Sequence, residues 1–233
     1  MGLFDKLKKS RQEEQREQKE LKELKELKEQ EVSVHGWDAI NRECERIYPE
    51  QKNPKHYGTL IKWSLGGKDP LDGISIYDGG DYWHFVTYGM SELYEKESEN
   101  QEISGFGMEF TFKLEKDDYE DEEAELTCIC GILQTLARIT FTQGELFGPY
   151  EYVYTGQTQG IDVNMRSNIT GFITIPDKEL QPIDTPNGRL VFVAFIGATD
   201  AELLAVHGKE LTVKELYDRL GSDVTDYHRA SVL

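Results

Sequence analysis

Few side chains in this 233-residue chain have both the type and the setting to do chemistry, and His84 is the first of them. It stands between Trp83 and Phe85, with Asp78 and Asp81 close in sequence. An imidazole beside a carboxylate can act as a general base or hold a metal. No second histidine stands at ligand spacing, and no serine or cysteine nucleophile is implied. We therefore read His84 as a structural histidine, hydrogen-bonded across a sheet. Asp69 and Asp72 bracket Pro70-Leu71, the pattern of a turn; a catalytic carboxylate pair would need a second, facing element. Cys128 and Cys130 lie two apart in a predicted helix, on different faces, and are poorly placed to share a metal. With Cys44 they read as small buried apolar side chains, since three cysteines make no disulfide framework. The chain has no phosphate-cradling glycine loop with lysine, no G-x-G-x-x-G between strand and helix, no nucleophile elbow and no H-E-x-x-H. No enzyme activity, cofactor or metal is expected. What remains is an aromatic cluster, Tyr77, Tyr82, Trp83, Tyr88 and Tyr94, whose apolar bodies and polar tips suit half-buried strands and binding patches alike.

Three strands must position these groups. Ile74/Ile76, Phe85/Thr87 and Met108/Phe110/Phe112 alternate with residues of different polarity or size. Asp72-Gly73, Gly79-Gly80 and Ser104-Gly105 punctuate them as predicted turns. Upstream, residues 3–31 predict one long charged helix, free of glycine and proline. Residues 37–48 predict an amphipathic helix, with Trp37, Ile40, Cys44 and Ile47 on one face and Pro49 as its stop. Lys52–Lys55 reads as a turn, and residues 60–65 as a strand ended by Gly66-Gly67. Downstream, residues 124–141 predict a central buried helix. Residues 150–154, 169–175 and 190–198 predict strands, the last nearly all apolar and so central. Thr199 and Thr212 cap two short helices, and the tail from Gly221 is expected to be loosely held. The expected fold is α+β: a mixed, mainly antiparallel sheet packed against helices, with a charged helical arm over 1–34 and one domain over 35–233.

Charge narrows the partner. The net charge is −18. Residues 1–31 hold nine of the 26 basic and nine of the 44 acidic residues, so the remainder carries 17 basic and 35 acidic groups and the whole excess. Such a surface repels nucleic acid and attracts basic proteins. The acidic run from Glu115 to Glu125 is expected to be a solvated loop, and Asp118, Asp121 and Glu122 within it could steer a basic partner. No run of about 18 apolar residues suggests a membrane span, and no signal peptide is apparent, so the expected location is the cytoplasm. Leu3, Phe4 and Leu7 beside Lys6, Lys8 and Lys9 would support only weak peripheral membrane contact through residues 1–9.

Three motifs in order, DPLDGISIY from Asp69, WHFVTYGMSELY from Trp83 and SGFGMEFTF from Ser104, resemble the Suppressor of fused (SUFU) domain. The resemblance runs from about Trp37 toward the C-terminus and weakens after Leu114. It implies an α+β protein that is not an enzyme. Animal members of the family hold a transcription factor by clamping a short extended peptide, in part by strand addition. The family's binding region matches Trp83–Glu95, which implies Tyr88, Glu92, Tyr94 and Glu95 as partner-binding residues. The animal clamp also uses a second domain, which this chain is expected to lack. A single SUFU domain with a charged arm resembles the bacterial branch, which implies an immunity or antitoxin-like role against a basic toxin such as a nuclease. The alternative is a peptide-binding regulator or scaffold.

Overall fold

A computed structural model describes residues 34–233. The expected helix over 3–31 and the apolar face within 1–9 lie outside the described residues. Along the chain come α1 (His35–Ile47), β1 (Lys55–Gly58), β2 (Gly73–Asp78), β3 (Tyr82–Tyr88), β4 (Ile103–Glu115) and α2 (Glu122–Gln143). Then follow β5 (Tyr152–Val153), β6 (Ile169–Pro176), β7 (Ile183–Thr185), β8 (Gly188–Thr199), α3 (Asp200–His207) and α4 (Val213–Leu220). The strands form one eight-stranded sheet in the order β1-β2-β3-β4-β8-β6-β5, with β7 on the flank of β8. β4 and β8 run parallel and every other pair is antiparallel, so the sheet is mixed as expected.

Alternation along the strands splits the apolar side chains between two faces. On one face Ile74, Ile76, Phe85, Phe110, Phe112 and Phe195 meet Leu126, Ile129, Leu133 and Leu136 of α2. Burying each such side chain stabilises by roughly 1.5–3 kcal/mol, which holds α2 on the sheet. Among the described residues α2 is the one helix long and apolar enough to cross a membrane, and its apolar stripe is spent in this core. The other face is covered in two parts. Ile40 and Cys44 of α1 pack with Tyr77, Val86, Tyr88 and Phe192. Leu203 and Val206 of α3 and Leu216 of α4 pack on Ile173, Ala194 and Ile196.

The helix starts follow the caps read from the sequence. Thr199 with Glu202 and Thr212 with Glu215 form reciprocal capping boxes. Asp121 accepts from the Ala124 N–H and caps α2. The acidic run is therefore not one solvated loop, because its second half is the first turn of α2, where acidic groups suit the helix dipole. Glu125 is buried and accepts from the Val163 N–H.

Three other expectations fail. Residues 60–65 are not a strand. Lys55–Gly58 takes the place beside β2, and the chain then turns through a short 3₁₀ helix at Trp63–Leu65. Only Trp63 turns inward, to meet Phe141. Ser104-Gly105 is not a turn between elements but the irregular start of β4. Gly105 and Gly107 have φ of 55° and 74°, and the register with β8 slips between Ile103 and Met108. The tail is firmly held. Thr225 is buried beside β4, its hydroxyl accepts from the Gly197 N–H, and Arg229 pairs with Glu202.

Candidate protein-interaction surface

The segment after β3 is a loop held from every side. Glu109 of β4 lies wholly buried beneath it and accepts from the Gly89 and Ser91 N–H groups at 3.0 Å, the Ser91 hydroxyl at 2.6 Å and the Thr87 hydroxyl at 2.7 Å. Burial pushes the Glu109 carboxyl up to about 7, against the pull of those donors. Ser104 accepts from the Glu92 N–H. Asn187, beyond β7, donates to the carbonyls of Glu92 and Tyr94. The first turn of α1 closes the back, with the Gly36 N–H donating to the Leu93 carbonyl at 3.0 Å. A Cβ at residue 36 would stand 2.3 Å from the Glu92 carbonyl oxygen, so only glycine fits there.

This scaffold fixes the roles of the four residues implied by the resemblance. Tyr88 is not on the surface. It is fully buried, stacks on Trp37 at 4.3 Å and donates to Asn41, because its strand position faces α1. Glu92 turns inward and organises the loop, accepting from Lys96 at 2.7 Å and from the N–H groups of Glu97, Ser98 and Gly105. Burial would push its carboxyl up, but Lys96 and those N–H groups overcome it and hold it at about 2. Tyr94 is half-buried and donates to Asp72 at 2.7 Å, with the Lys62 ammonium 3.6 Å from its ring centre. Glu95 is exposed.

Around Tyr94 and Glu95 the surface has two parts. The turn after β1 exposes Leu60 completely, Ile61 by 59 % and Leu65 by 76 %. Lys62, between them, ties this turn to Tyr94 and, at 3.6 Å, to Asp72. The loop that continues from Tyr94 carries exposed Glu95, Glu97, Glu99 and Glu102. Contiguous exposed apolar groups rimmed by charge mark interaction sites. The sequence signal was present, since four large apolar residues, Leu60, Ile61, Trp63 and Leu65, stand in six positions, but it reads equally as a strand.

Asp118, Asp121 and Glu122 lie elsewhere. β3 and β4 pair antiparallel, with Tyr82 opposite Glu115, so the acidic run sits at the far end of the hairpin, about 30 Å along β4 from Gly105. Asp118 is exposed, Asp121 caps α2, and Glu122 accepts from the Trp83 indole. The two groups do not form one site.

His84 is fully buried, and its carboxylate neighbours are Asp177 and, at 3.8 Å, Glu179, not Asp78 or Asp81. Its Nδ1 shares a hydrogen bond with the Tyr48 hydroxyl at 2.8 Å, and its Nε2 lies 3.6 Å from Asp177. Asp177 accepts from Thr111 and from the N–H groups of Glu179 and Leu180. Burial opposes ionisation of Asp177, but His84 and Thr111 hold its carboxyl well below the usual range. Lys113 bridges Glu179 and Asp223 beside this network. No substrate can reach the imidazole, which pins the segment after β6 to β3 and β4. Asp69 pairs with Arg138, so the Asp69/Asp72 pair is structural too.

The profile of the Suppressor of fused protein family matches residues 67–230, from just before β2 to the held tail. The chain belongs to the Suppressor of fused family. The human Suppressor of fused homolog is 33 % identical over 181 residues, which is 72 % of this chain. The chain spans only 36 % of that relative's length. Among solved structures, the Sufu chain of a Sufu–Fu complex superposes with a TM-score of 0.73 at 28 % identity, covering 86 % of this chain and 93 % of that one. A Suppressor of fused homologue from Neisseria gonorrhoeae shares the fold, with a TM-score of 0.57 at 17 % identity, covering 85 % and 97 % of the two chains. The α+β SUFU fold thus accounts for the described residues, and the buried Glu109 sits within the matched motif region.

Proposed function

We propose that this SUFU domain is a cytoplasmic protein-binding module that captures a basic protein, as an immunity or antitoxin-like protein neutralises a toxin. The observation that carries the reading is the pairing of Leu60, Ile61 and Leu65 with the acidic loop Glu95–Glu102 on a rigid scaffold. Apolar anchors supply most of the lifetime of a complex, while the charges around them steer encounter and reject wrong partners. The 35 acidic against 17 basic groups beyond residue 31 extend that field over the whole domain, and Asp118 contributes to it from a distance. A nuclease toxin must hold its substrate in a basic groove, which is the complement of such a surface.

A second reading is a peptide-binding regulator or scaffold of the SUFU type. It is favoured by the likeness to the Sufu chain that is bound to Fu. Salt separates the two, because steering between exposed charges is screened within about 8–10 Å at physiological ionic strength. The test is affinity capture from native cells with a C-terminal tag, at low and high salt, using the wild type and a Leu60→Ser/Leu65→Ser variant. The immunity reading expects one stoichiometric basic protein, released by salt, lost from the variant, and inhibited when this chain is added back. A salt-insensitive partner bound through an extended segment would favour the regulator. A partner retained equally by the variant would overturn the assigned surface.

A further inference from the structure

The hairpin between β7 and β8 joins two residues whose combination is chemically labile. Asn187 is followed by Gly188, and no other asparagine in the chain precedes a glycine. A glycine has no Cβ to hold its backbone nitrogen away from the preceding side chain, so that nitrogen can reach the asparagine amide carbon.

The fold demands both residues. Gly188 has a φ of 109°, and a Cβ there would stand 2.7 Å from the Ile103 carbonyl carbon and 2.9 Å from the Ser104 nitrogen. Those are backbone atoms and cannot give way, so only glycine fits. Asn187 does not have a positive φ, and its backbone would accept other residues. Its side-chain amide is what the fold uses. Asn187 is 4 % exposed, and its Nδ2 donates to the carbonyls of Glu92 at 2.8 Å and Tyr94 at 3.0 Å. An ionised aspartate of the same shape has no proton to offer either carbonyl. Thr185 sets the turn: its hydroxyl accepts from the Asn187 N–H at 3.0 Å and donates to the Gly188 carbonyl at 2.9 Å. One labile amide therefore latches the loop after β3 to the β7–β8 hairpin.

We propose that Asn187 is a modification site, a latch that the loop after β3 loses by spontaneous deamidation. The Gly188 nitrogen gives its proton to solvent base and bonds to Asn187 Cγ. The Cγ–Nδ2 bond breaks, and Nδ2 takes up a proton and leaves as ammonia. Water then opens the five-membered imide at either carbonyl, giving aspartate or its β-linked isomer. The net change is one water taken up and one ammonia released, with no change of oxidation state. Either product sets a carboxylate against the Glu92 and Tyr94 carbonyl oxygens, where it is repelled and unpaired, so the loop moves away. In the docked state both amide protons are held, which restrains Cγ, and the reaction runs through local opening of the loop. That the released loop no longer serves a partner rests on the surface proposed around Tyr94; the latch itself does not.

The experiment ages the full-length protein in warm, mildly alkaline buffer and follows Asn187 by peptide mass spectrometry, beside a sample unfolded in urea. The proposal expects Asn187 to convert ahead of every other asparagine, more slowly in the folded protein than in the unfolded one. Glu92→Ala loosens the same loop but keeps the carbonyl that Asn187 grips. It should speed conversion by the same factor by which it raises hydrogen exchange in residues 93–103, at least about fivefold. Aged protein separated by charge, and Asn187→Asp, should each exchange the amides of residues 92–103 at least about tenfold faster than the wild type, with Asn187→Ala between them. The aged material keeps the test decisive if the aspartate variant folds poorly. Asn187 left intact in the folded protein while the unfolded sample converts, equal conversion in wild type and Glu92→Ala, or unchanged loop exchange in the aged protein would each overturn the proposal. No partner enters these readouts, so their failure is distinct from failure of the binding surface.

Discussion

The carboxyl of Glu109 should make the stability of this protein depend on pH across the neutral range, with a sign opposite to that of Glu92, Asp177 and Glu202. In the unfolded chain the group titrates near its ordinary value of 4.5; burial pushes it to about 7 in the fold. A carboxyl with a raised folded value favours the fold most when protonated. Its contribution is full below about 4.5 and is lost as pH rises through 7. A difference of about 2.5 units corresponds to roughly 3 kcal/mol at 1.36 kcal/mol per unit. Glu92, Asp177 and Glu202 are lowered, so their contributions are present above their unfolded values and fall away only in acid. The two windows separate near pH 4.5. Guanidinium unfolding of wild type and Glu109→Gln at pH 5 and pH 8 isolates the effect, because other groups cancel in the difference. The wild type should lose roughly 2.5 kcal/mol more than the variant between those pH values, slightly less than the full figure because the unfolded carboxyl is already partly ionised at pH 5. Equal losses would refute the reasoning, and would mean that Ser91, Gly89 and Thr87 keep the carboxylate ionised throughout.

Other outcomes follow from single contacts. Arg229→Met leaves Glu202 fully buried without the cation that grips it at 2.6 and 2.7 Å, and should cost about 3 kcal/mol in chemical unfolding, largely recovered by adding Glu202→Gln. Glu92→Ala removes the acceptor for three backbone N–H groups and should raise hydrogen exchange in the 93–103 loop while costing about 2 kcal/mol or less. Leu60→Ser/Leu65→Ser should change unfolding free energy by less than about 0.5 kcal/mol, since both side chains are already in water. His84→Phe should destabilise by about 1–3 kcal/mol through the unpaired Tyr48 hydroxyl and the Asp177 carboxylate it leaves.

The elements with a strong local signature were legible. The strand alternation around Ile74, Phe85 and Phe110, the Thr199 and Thr212 caps and the apolar stripe of α2 each follow from short-range rules, and the three motif strands carried the family. The misread pieces depend on distant partners. Leu60, Ile61 and Leu65 look like a strand because apolar residues run together, but the place beside β2 was already filled by Lys55–Gly58. The tail looked loose because Thr225, Tyr227 and Arg229 find β4, the core and Glu202 only in three dimensions. The site was half legible. Alternation gives Tyr88 a face but not the helix that covers it, and Glu92 looks like a surface charge until Lys96 and Gly105 close around it. Nothing local showed that the turn after β1 meets the loop after β3, because Lys62 and Tyr94 join them across the fold.

The most direct test of the central claim is the dissociation constant of the purified complex between this chain and its captured partner. It should be measured by calorimetry for wild type, Leu60→Ser/Leu65→Ser and Glu95→Lys/Glu97→Lys at two salt concentrations. The account predicts that the serine variant loses at least about tenfold at both salts, while the lysine variant loses affinity mainly at low salt. Unchanged affinity in both variants would contradict it and place the partner on another face of the domain.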